Sequence, residues 1–410
     1  MELGNMSKID NKLKLLACFA LLLSQAVFAG GDDPETGFRV FPFLQQVKTN
    51  SVGITFETHN SDSATIKVSL NSNMSGYIAH SAPTGKIRKM TLSGLSTNTR
   101  YYYTVTSDGE TSPVGSFVTA LPKGSRLPFR FAVYGDTREA AWYEDIVASY
   151  GDNDDHLPVC QSMASKAPEF VLHVGDLGRD GTDMDDVINF FDVEKGLLRN
   201  HPIVPTYGNH EFSGGSGTGN TYFDSYLMSS GNSGDFAYYS YNYGNVHILV
   251  INTGKYIDND DSYDLLLPGT AQYEFIQTDL QNAAADSDID HIFVSLHVPV
   301  HSASSWGDNP TLVNHLRPLF EQNGVKAVFE GHDHDYQHLE KNGIHYILSG
   351  GGGSPILQIG SPSSDATIHK YEDVLNYVIV DVNGSSLVLE AYKVQGQGNS
   401  SSSLLERIVF

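Results

Sequence analysis

Five apolar, strand-like runs in this 410-residue chain each end in a side chain that can bind a metal ion. Phe131-Ala-Val-Tyr-Gly stops at Asp136, Phe170-Val-Leu-His-Val-Gly at Asp176, and Ile203-Val-Pro-Thr-Tyr-Gly at Asn209-His210-Glu211. Ile292-Phe-Val-Ser-Leu stops at His297, and Ala327-Val-Phe-Glu-Gly at His332-Asp-His334. In open α/β sheets, ligands gather outside the carboxyl ends of strands. Glycine at four of the five junctions lets the chain turn sharply and leaves space beside the site. Carboxylate, amide and imidazole donors without thiolate suit Zn, Mn, Fe or Co. One such strand end says nothing, whereas five with this mix predict a common metal site.

Two kinds of element must position these residues. Residues 37–121 read as an all-β module: Val52, Ile54 and Phe56 alternate with Gly53 and Thr55, and Ala64, Ile66, Val68 and Leu70 repeat the pattern. Tyr101, Tyr103 and Val105 form a third period-two run, and turn-rich stretches such as Asn71-Ser72-Asn73 and Ser107-Asp108-Gly109 separate them. Half-buried strands are expected there. Pro122 to Pro128 reads as a linker. Beyond it, apolar strand runs alternate with helix-compatible stretches, Gln272 to Leu280 and Leu312 to Phe320 among them, which is α/β texture. The Gly-rich stretches Gly214 to Asn220 and Gly350 to Gly353 are too short to link domains.

The motif set resembles the calcineurin-like metallophosphoesterases: Gly135-Asp136, Gly175-Asp176, Gly208-Asn209-His210-Glu211, His297-Val-Pro-Val-His301 and Gly331-His332-Asp-His334. Within that superfamily the chain is most similar to the purple acid phosphatase branch, through Tyr336, the turn Ser349 to Gly353, and the β-rich module placed first. In that module Leu92-Ser-Gly-Leu95-Ser-Thr-Asn98-Thr-Arg-Tyr101-Tyr-Tyr103 resembles the turn and strand of fibronectin type III domains, where a tyrosine caps a corner. The resemblance implies an N-terminal fibronectin III-like β-sandwich at 37–121. A four-layer αββα metallophosphoesterase domain would follow at 129–410. It also implies two divalent cations, one on Asp136, Asp176 and His334, the other on Asp176, Asn209, His297 and His332, with Asp176 bridging. A bridging carboxylate suits cations about 3.5–4 Å apart, a spacing that activates water for in-line attack on phosphorus. His210, next to a ligand, is the expected phosphate contact and general acid.

Two positions depart from the family pattern. Two residues after Asp136, where many members have a histidine ligand, stands Arg138, which cannot bind metal. Three after Asp176, where purple acid phosphatases have the tyrosine that colours their iron, stands Arg179. The first cation is thus short of a protein ligand. Zn or Mn is favoured, with Fe possible. Arg138 either clamps a phosphate oxygen or makes a structural salt bridge, and His301 either touches the leaving group or packs in its loop. Glu211 is expected to orient His210, His173 to be a satisfied core histidine, and Arg179 to pair on the surface. Asp180 belongs to a helix cap within Asp180-Gly-Thr-Asp183 or makes an outer contact to the first cation, and the acidic run Asp258 to Asp261 reads as a solvated loop, lacking EF-hand spacing.

Bulk properties set the limits. The three lysines at 8, 12 and 14, the apolar run Leu15 to Phe28 and small residues up to Ala29 read as a cleavable signal peptide at 1–29. A secreted or periplasmic protein follows, with a lipid-acylated Cys18 as the lesser alternative. Cleavage leaves Cys160 as one thiol, expected to be buried and inert. Net charge is −23, and −24 without residues 1–29, whose three lysines face two acids. That field opposes nucleic acid backbones and anionic membranes. It would also repel the small phosphate-ester substrate unless two dications reversed the sign locally. Hydrolysis of phosphomonoesters is the expected reaction. Phosphodiester hydrolysis on the same site, and a catalytically inactive exported binding protein, are the alternatives. Loops 213–233 and 302–311 are expected to shape the substrate pocket.

Overall fold

A computed structural model of the chain describes residues 36–140, 151, 153–212, 221–228, 238–253, 266–356 and 362–410. The leader expected at 1–29, the Gly-rich stretch 214–220, the acidic run 258–261 and most of loop 213–233 lie outside the described residues. Residues 37–410 form one compact unit.

The first part of the chain contributes β1 (Phe38–Gln45), β2 (Ser51–Thr58), β3 (Ala64–Ser69), β4 (Ile78–Ser81), β5 (Ile87–Ser93), β6 (Arg100–Ser107), β7 (Glu110–Thr111) and β8 (Gly115–Val118). The next strands are β9 (Phe129–Tyr134), β10 (Val171–His173), β11 (Ile203–Pro205), β12 (Tyr239–Tyr243), β13 (Val246–Val250), β14 (His291–Ser295) and β15 (Ala327–Glu330). The last six are β16 (Tyr336–Lys341), β17 (Ile344–Ser349), β18 (Thr367–Glu372), β19 (Asn376–Asn383), β20 (Ser386–Gly396) and β21 (Asn399–Val409).

The described strands form three sheets. A nine-stranded sheet has the order β21-β20-β19-β9-β10-β11-β1-β2-β5, and a seven-stranded one β12-β13-β14-β15-β17-β16-β18. A five-stranded sheet runs β4-β3-β6-β7, with β8 also on β6. Strands β9, β10 and β11 are parallel neighbours, as are β13, β14, β15 and β17. The N-terminal β-rich part does not close on itself, because β1 joins β11 in parallel with Gln45 opposite Ile203.

Both faces of the two large sheets are covered. Phe131, Phe170 and Val378 of the nine-stranded sheet meet Ile248, Phe293 and Phe329 of the seven-stranded one in a core that continues into Val52, Ile54, Ile66 and Phe117. Helices Asn153–Ala164 and Met184–Leu198 cover the far face of the first sheet through Val159, Met163, Phe190 and Phe191. Helices Ala271–Ala285, Pro310–His315 and Arg317–Gln322 cover the second through Ile276, Leu280, Leu312 and Phe320. Strands buried on both faces need apolar runs, as residues 131–134 of β9, 248–250 of β13 and 292–294 of β14 supply. Phe131 stacks on Phe170 at 4.9 Å and meets Phe293 and Phe329 at 6.0 and 6.1 Å. Truncating any one of these rings to Ala should cost about 3–5 kcal/mol, so they set how far apart the two sheets sit.

Two local expectations are corrected. The alternation in β2 predicts a half-buried strand, yet all of its residues are buried. Residues of the 226–228 segment cover its other face: Gln45 Nε2 donates both to Thr55 Oγ1 at 2.7 Å and to the Tyr226 carbonyl at 3.0 Å. The stretch Leu312 to Phe320 is two short helices, because Pro318 near the start of the second has no N–H to carry the ladder through.

Candidate metal centre

Each expected metal ligand sits just past the carboxyl end of its strand. Asp136, Asp176 and Asn209 follow the parallel strands β9, β10 and β11 of one sheet. His297, and the pair His332 and His334, follow the parallel strands β14 and β15 of the other. The site therefore forms where the ends of two sheets meet.

Its backbone is held in conformations that side chains avoid. Asp136, Asp176 and His332 have φ of 57°, 55° and 72°, a left-handed region sparsely used by non-glycine residues. Such strain persists only where surrounding contacts over-determine it, and it clusters at functional sites. Those contacts are visible here. Asp136 N–H donates to the Gly175 carbonyl at 2.9 Å, and Thr137 N–H to that of Asp176 at 3.0 Å. His332 N–H donates to both oxygens of Asp136, at 3.0 and 3.1 Å. The preceding glycines keep the space clear. A Cβ on Gly175, itself at φ 104°, would lie 2.6 Å from His297 Nδ1, and one on Gly331 2.6 Å from Asp136 Oδ2.

The donor atoms converge as two overlapping groups. In one, Asp136, Asp176 and His334 bring ligand atoms within 4.8 Å of one another; in the other, Asp176, His297 and His332 do the same. Asp176 belongs to both. Asn209 Oδ1 lies 3.1 Å from His297 Nε2 and so joins the second group. The imidazoles are oriented from behind: Nδ1 of His297 donates to the Val174 carbonyl at 2.9 Å, and Nδ1 of His334 to that of Pro355 at 2.8 Å. A carbonyl can only accept, so each ring presents an unprotonated Nε2 when neutral, as a metal-binding histidine should. An all-oxygen-and-nitrogen set of six residues around one shared carboxylate fits two divalent cations.

Burial and mutual charge shift the titrating groups of the site in opposite directions. Burial pushes the Asp136 carboxyl well above its ordinary range, with neighbouring Asp176 adding to the effect. Asp176 is buried too, yet His297, His210 and Arg138 outweigh burial and hold it well below. Burial opposes protonation of His297, but the facing Asp176 and Asp136 carry it up to about 10. His332 moves the other way, down to about 3, through burial and then the charge of His297.

His210 stands beside this cluster as expected. Its N–H donates to Asp176 Oδ1 at 3.0 Å, and its Nδ1 to the Arg179 carbonyl at 2.6 Å, which leaves Nε2 as the free ring nitrogen. Arg138 is 6% exposed and favours the charged forms of both Asp136 and Asp176. Its Nη1 donates to the Glu139 carbonyl at 3.2 Å. Arg179 grips Asp186 with two bonds of 3.1 and 3.2 Å, so the residue in the tyrosine position turns its side chain to a surface ion pair.

One residue departs from its expected role, and two take readings already open to them. His301 is fully buried, stacks edge-on with Tyr346 at 4.8 Å and pairs with Asp308 at 3.1 Å. The ring is a packed loop histidine in this conformation and does not join the metal-binding groups. Glu211 does not touch the His210 ring. It accepts the N–H groups of Asp176 at 2.9 Å, Leu177 at 2.7 Å and Gly208, and so ties two ligand loops together. Asp180 accepts from Thr182, while Asp183 caps helix Met184–Leu198.

His173 is the satisfied core residue expected, and also a brace: its Nδ1 accepts Gly175 N–H at 3.2 Å while Nε2 meets Thr137 Oγ1 at 3.1 Å. Thr253, which the sequence reading missed, accepts the N–H groups of His297 at 3.1 Å and Val298 at 2.8 Å. The apolar run of β13 ending in Asn252-Thr253 was the available signal. A third group, His156, Cys160 and Glu194, lies in the helix core. There His156, Cys160 and Tyr134 all point their polar atoms at Glu194 Oε1, which accounts for their proximity and for a buried thiol.

Comparisons with known proteins agree with this geometry. Residues 129–336 match the calcineurin-like phosphoesterase family, and residues 39–119 match the N-terminal domain of purple acid phosphatases. An uncharacterized protein of Mycobacterium tuberculosis is 30% identical over 262 residues, covering 60% of this chain and 49% of that one. Purple acid phosphatase 22 of Arabidopsis thaliana is 25% identical over 306 residues, covering 70% of this chain and 64% of that one. The chain thus spans about half the length of the mycobacterial relative. The solved structure of a purple acid phosphatase from yellow lupin (Lupinus luteus) seeds superposes with a TM-score of 0.72 at 18% identity, covering 90% of this chain and 74% of that one. That of PhoD gives 0.70 at 13% identity, covering 93% and 91%. The matched domains, carrying a dinuclear donor set at the expected strand ends, show that the chain belongs to the calcineurin-like phosphoesterase family, in its purple acid phosphatase-like branch.

Proposed function

We propose that this protein is an exported phosphatase that hydrolyses small phosphomonoesters. The observation that carries the reading is Asp176, one carboxylate shared by two three-residue donor groups, with the His210 ring anchored beside it. Asp136, Asp176 and His334 would hold one cation, and Asp176, Asn209, His297 and His332 the other. When bound, two such cations supply a nucleophile at neutral pH and a clamp on the attacking and leaving oxygens. His210 presents Nε2 to a phosphate oxygen and gives its proton to the leaving group. Burial holds this imidazole below its ordinary value, so the proton is available chiefly in acid solution. Arg138 adds a fixed positive charge next to Asp136 and Asp176 and is assigned to the phosphate.

Zn or Mn is favoured over Fe, since Arg179 replaces the tyrosinate and is engaged with Asp186. The leader at 1–29 assigns the protein to the periplasm or the outside of the cell. The fold reading extends in the same way, with a fibronectin III-like sandwich at 37–121 and a four-layer αββα domain at 129–410. Tyr101 supports the first, its hydroxyl accepting Ser96 N–H at 2.9 Å as a corner tyrosine would. The helices covering the outer face of each large sheet support the second.

The test compares phenyl phosphate with bis-phenyl phosphate on protein purified without chelator, with metal analysis alongside. Preference for the monoester, and large losses of turnover in Asn209→Ala and His210→Ala, are expected. A strong diester preference would replace the monoester reading. No turnover of either ester by fully metal-loaded protein would favour an inactive binding protein.

A further inference from the structure

One residue at the rim of the site has no task in the chemistry so far. Trp306 is 74% exposed, more than any other large hydrophobic side chain among the described residues. Its ring centroid lies 5.8 Å from that of His332, at an interplanar angle of 49°. A tryptophan carries about 150–250 Å² of surface that folding ordinarily removes from water. Here it is left open beside a metal ligand.

The exposure is not a loose loop. Ser302 Oγ is bonded to Asp333 Oδ2, and Asp333 lies between the ligands His332 and His334. Ala303 N–H donates to Gln337 Oε1 at 2.7 Å, and Ser302 N–H to Asp308 Oδ1 at 3.2 Å. Trp306 N–H donates to Ser304 Oγ at 3.2 Å, and Gly307 N–H to the Ser304 carbonyl at 3.1 Å. The segment that carries the indole is therefore tied to the strand end that carries two expected metal ligands, and its backbone is fixed beside the site.

Resting on the phosphatase reading, we propose that Trp306 is a specificity residue: its indole forms a stacking platform for a planar aromatic ring in the alcohol part of the phosphate ester. An ester whose phosphate is held at the metal-binding residues can extend past His332, where the exposed indole of Trp306 stands. Aromatic rings pack at about 4.5–7 Å between centroids and gain affinity beyond simple area burial. A short alkyl group offers nothing to stack. The platform accordingly selects aryl over alkyl esters through binding and leaves the reacting atoms to His210 and the metal-binding residues.

The test measures KM and kcat for phenyl phosphate and methyl phosphate in the wild type, Trp306→Ala and Trp306→Phe, with metal content measured in each. Trp306→Ala is expected to raise the ratio of the phenyl to the methyl KM about tenfold, on the order of the loss of one aromatic stack. The ratio of the two kcat values should hold, and Trp306→Phe should restore most of the KM ratio. Equal changes of both KM values in Trp306→Ala would overturn the proposal and leave Trp306 a structural residue of its loop.

A second arm needs no turnover. The chain has two tryptophans, Trp142 and Trp306, so a Trp142→Phe variant reports Trp306 alone. Its fluorescence should be quenched by phenylphosphonate and not by methylphosphonate at equal concentration. Identical responses to both would overturn the platform. If neither ester is hydrolysed, the phosphatase reading falls, and the quenching arm still decides the platform.

Discussion

Glu211→Gln separates two roles for a residue that the motif alone places beside His210. In the structure Glu211 is fully buried, and its two oxygens take three backbone N–H groups: Oε2 those of Asp176 and Gly208, Oε1 that of Leu177. Without cations, burial and then the charge of Asp176 raise its carboxyl to about 8, and bound cations would draw it back down. Glutamine has the same shape but one acceptor oxygen. Whichever way the amide lies, its NH₂ faces at least one N–H donor. That orphans one buried backbone N–H and the amide's own donor, at about 1–3 kcal/mol each. The expected loss is thus about 2–6 kcal/mol.

The assay is urea denaturation of metal-loaded protein, with metal retention after dialysis measured in parallel. The midpoint should fall by roughly 1 M or more, and retention should fall too, because the loops that lose their tie carry Asp176 and Asn209. If Glu211 merely orients His210, stability and metal content stay at wild-type levels and turnover alone drops. That outcome refutes the reasoning.

Metal stoichiometry should follow the two donor groups: His334→Ala should lose one equivalent and Asp176→Ala both. Elemental analysis reads this directly, and two full equivalents in His334→Ala would contradict the assignment. Metal affinity should depend on pH through His297, which without cations holds its proton up to about pH 10. A cation must displace that proton, so binding should tighten as pH rises, about tenfold per unit for each proton released. Calorimetry of metal binding from pH 6 to 8, in buffers of different ionisation enthalpy, measures both the slope and the proton released. Affinity independent of pH over that range would show that the imidazole is already neutral.

Much of the metal centre was legible in the chain because strand ends are local features. An apolar run and a polar donor are contiguous in sequence, with a glycine between them at four of the five junctions, and all six expected ligands follow such runs. Positions whose partners are distant in sequence were not legible. The motif puts Glu211 next to His210, but two of its three N–H partners, Asp176 and Leu177, come from a separate loop. His301 shares a motif with His297, yet the loop that follows buries it against Tyr346 and Asp308. The alternation in β2 gives one face correctly, and residues far along the chain cover the other.

The sequence by itself determined which side chains are the candidate metal donors, where the strands end, and that a β-rich segment precedes an α/β one. These follow from residue type and from periods of two and three to four residues, which the backbone imposes locally. Only the tertiary structure decided that three donors come from one sheet and three from another, that Glu211 ties two of their loops together, and that Trp306 stands open beside His332. Those are outcomes of packing two sheets face to face. The burial that drives such packing has no direction of its own, so the meeting points are set by the shapes of all the side chains together.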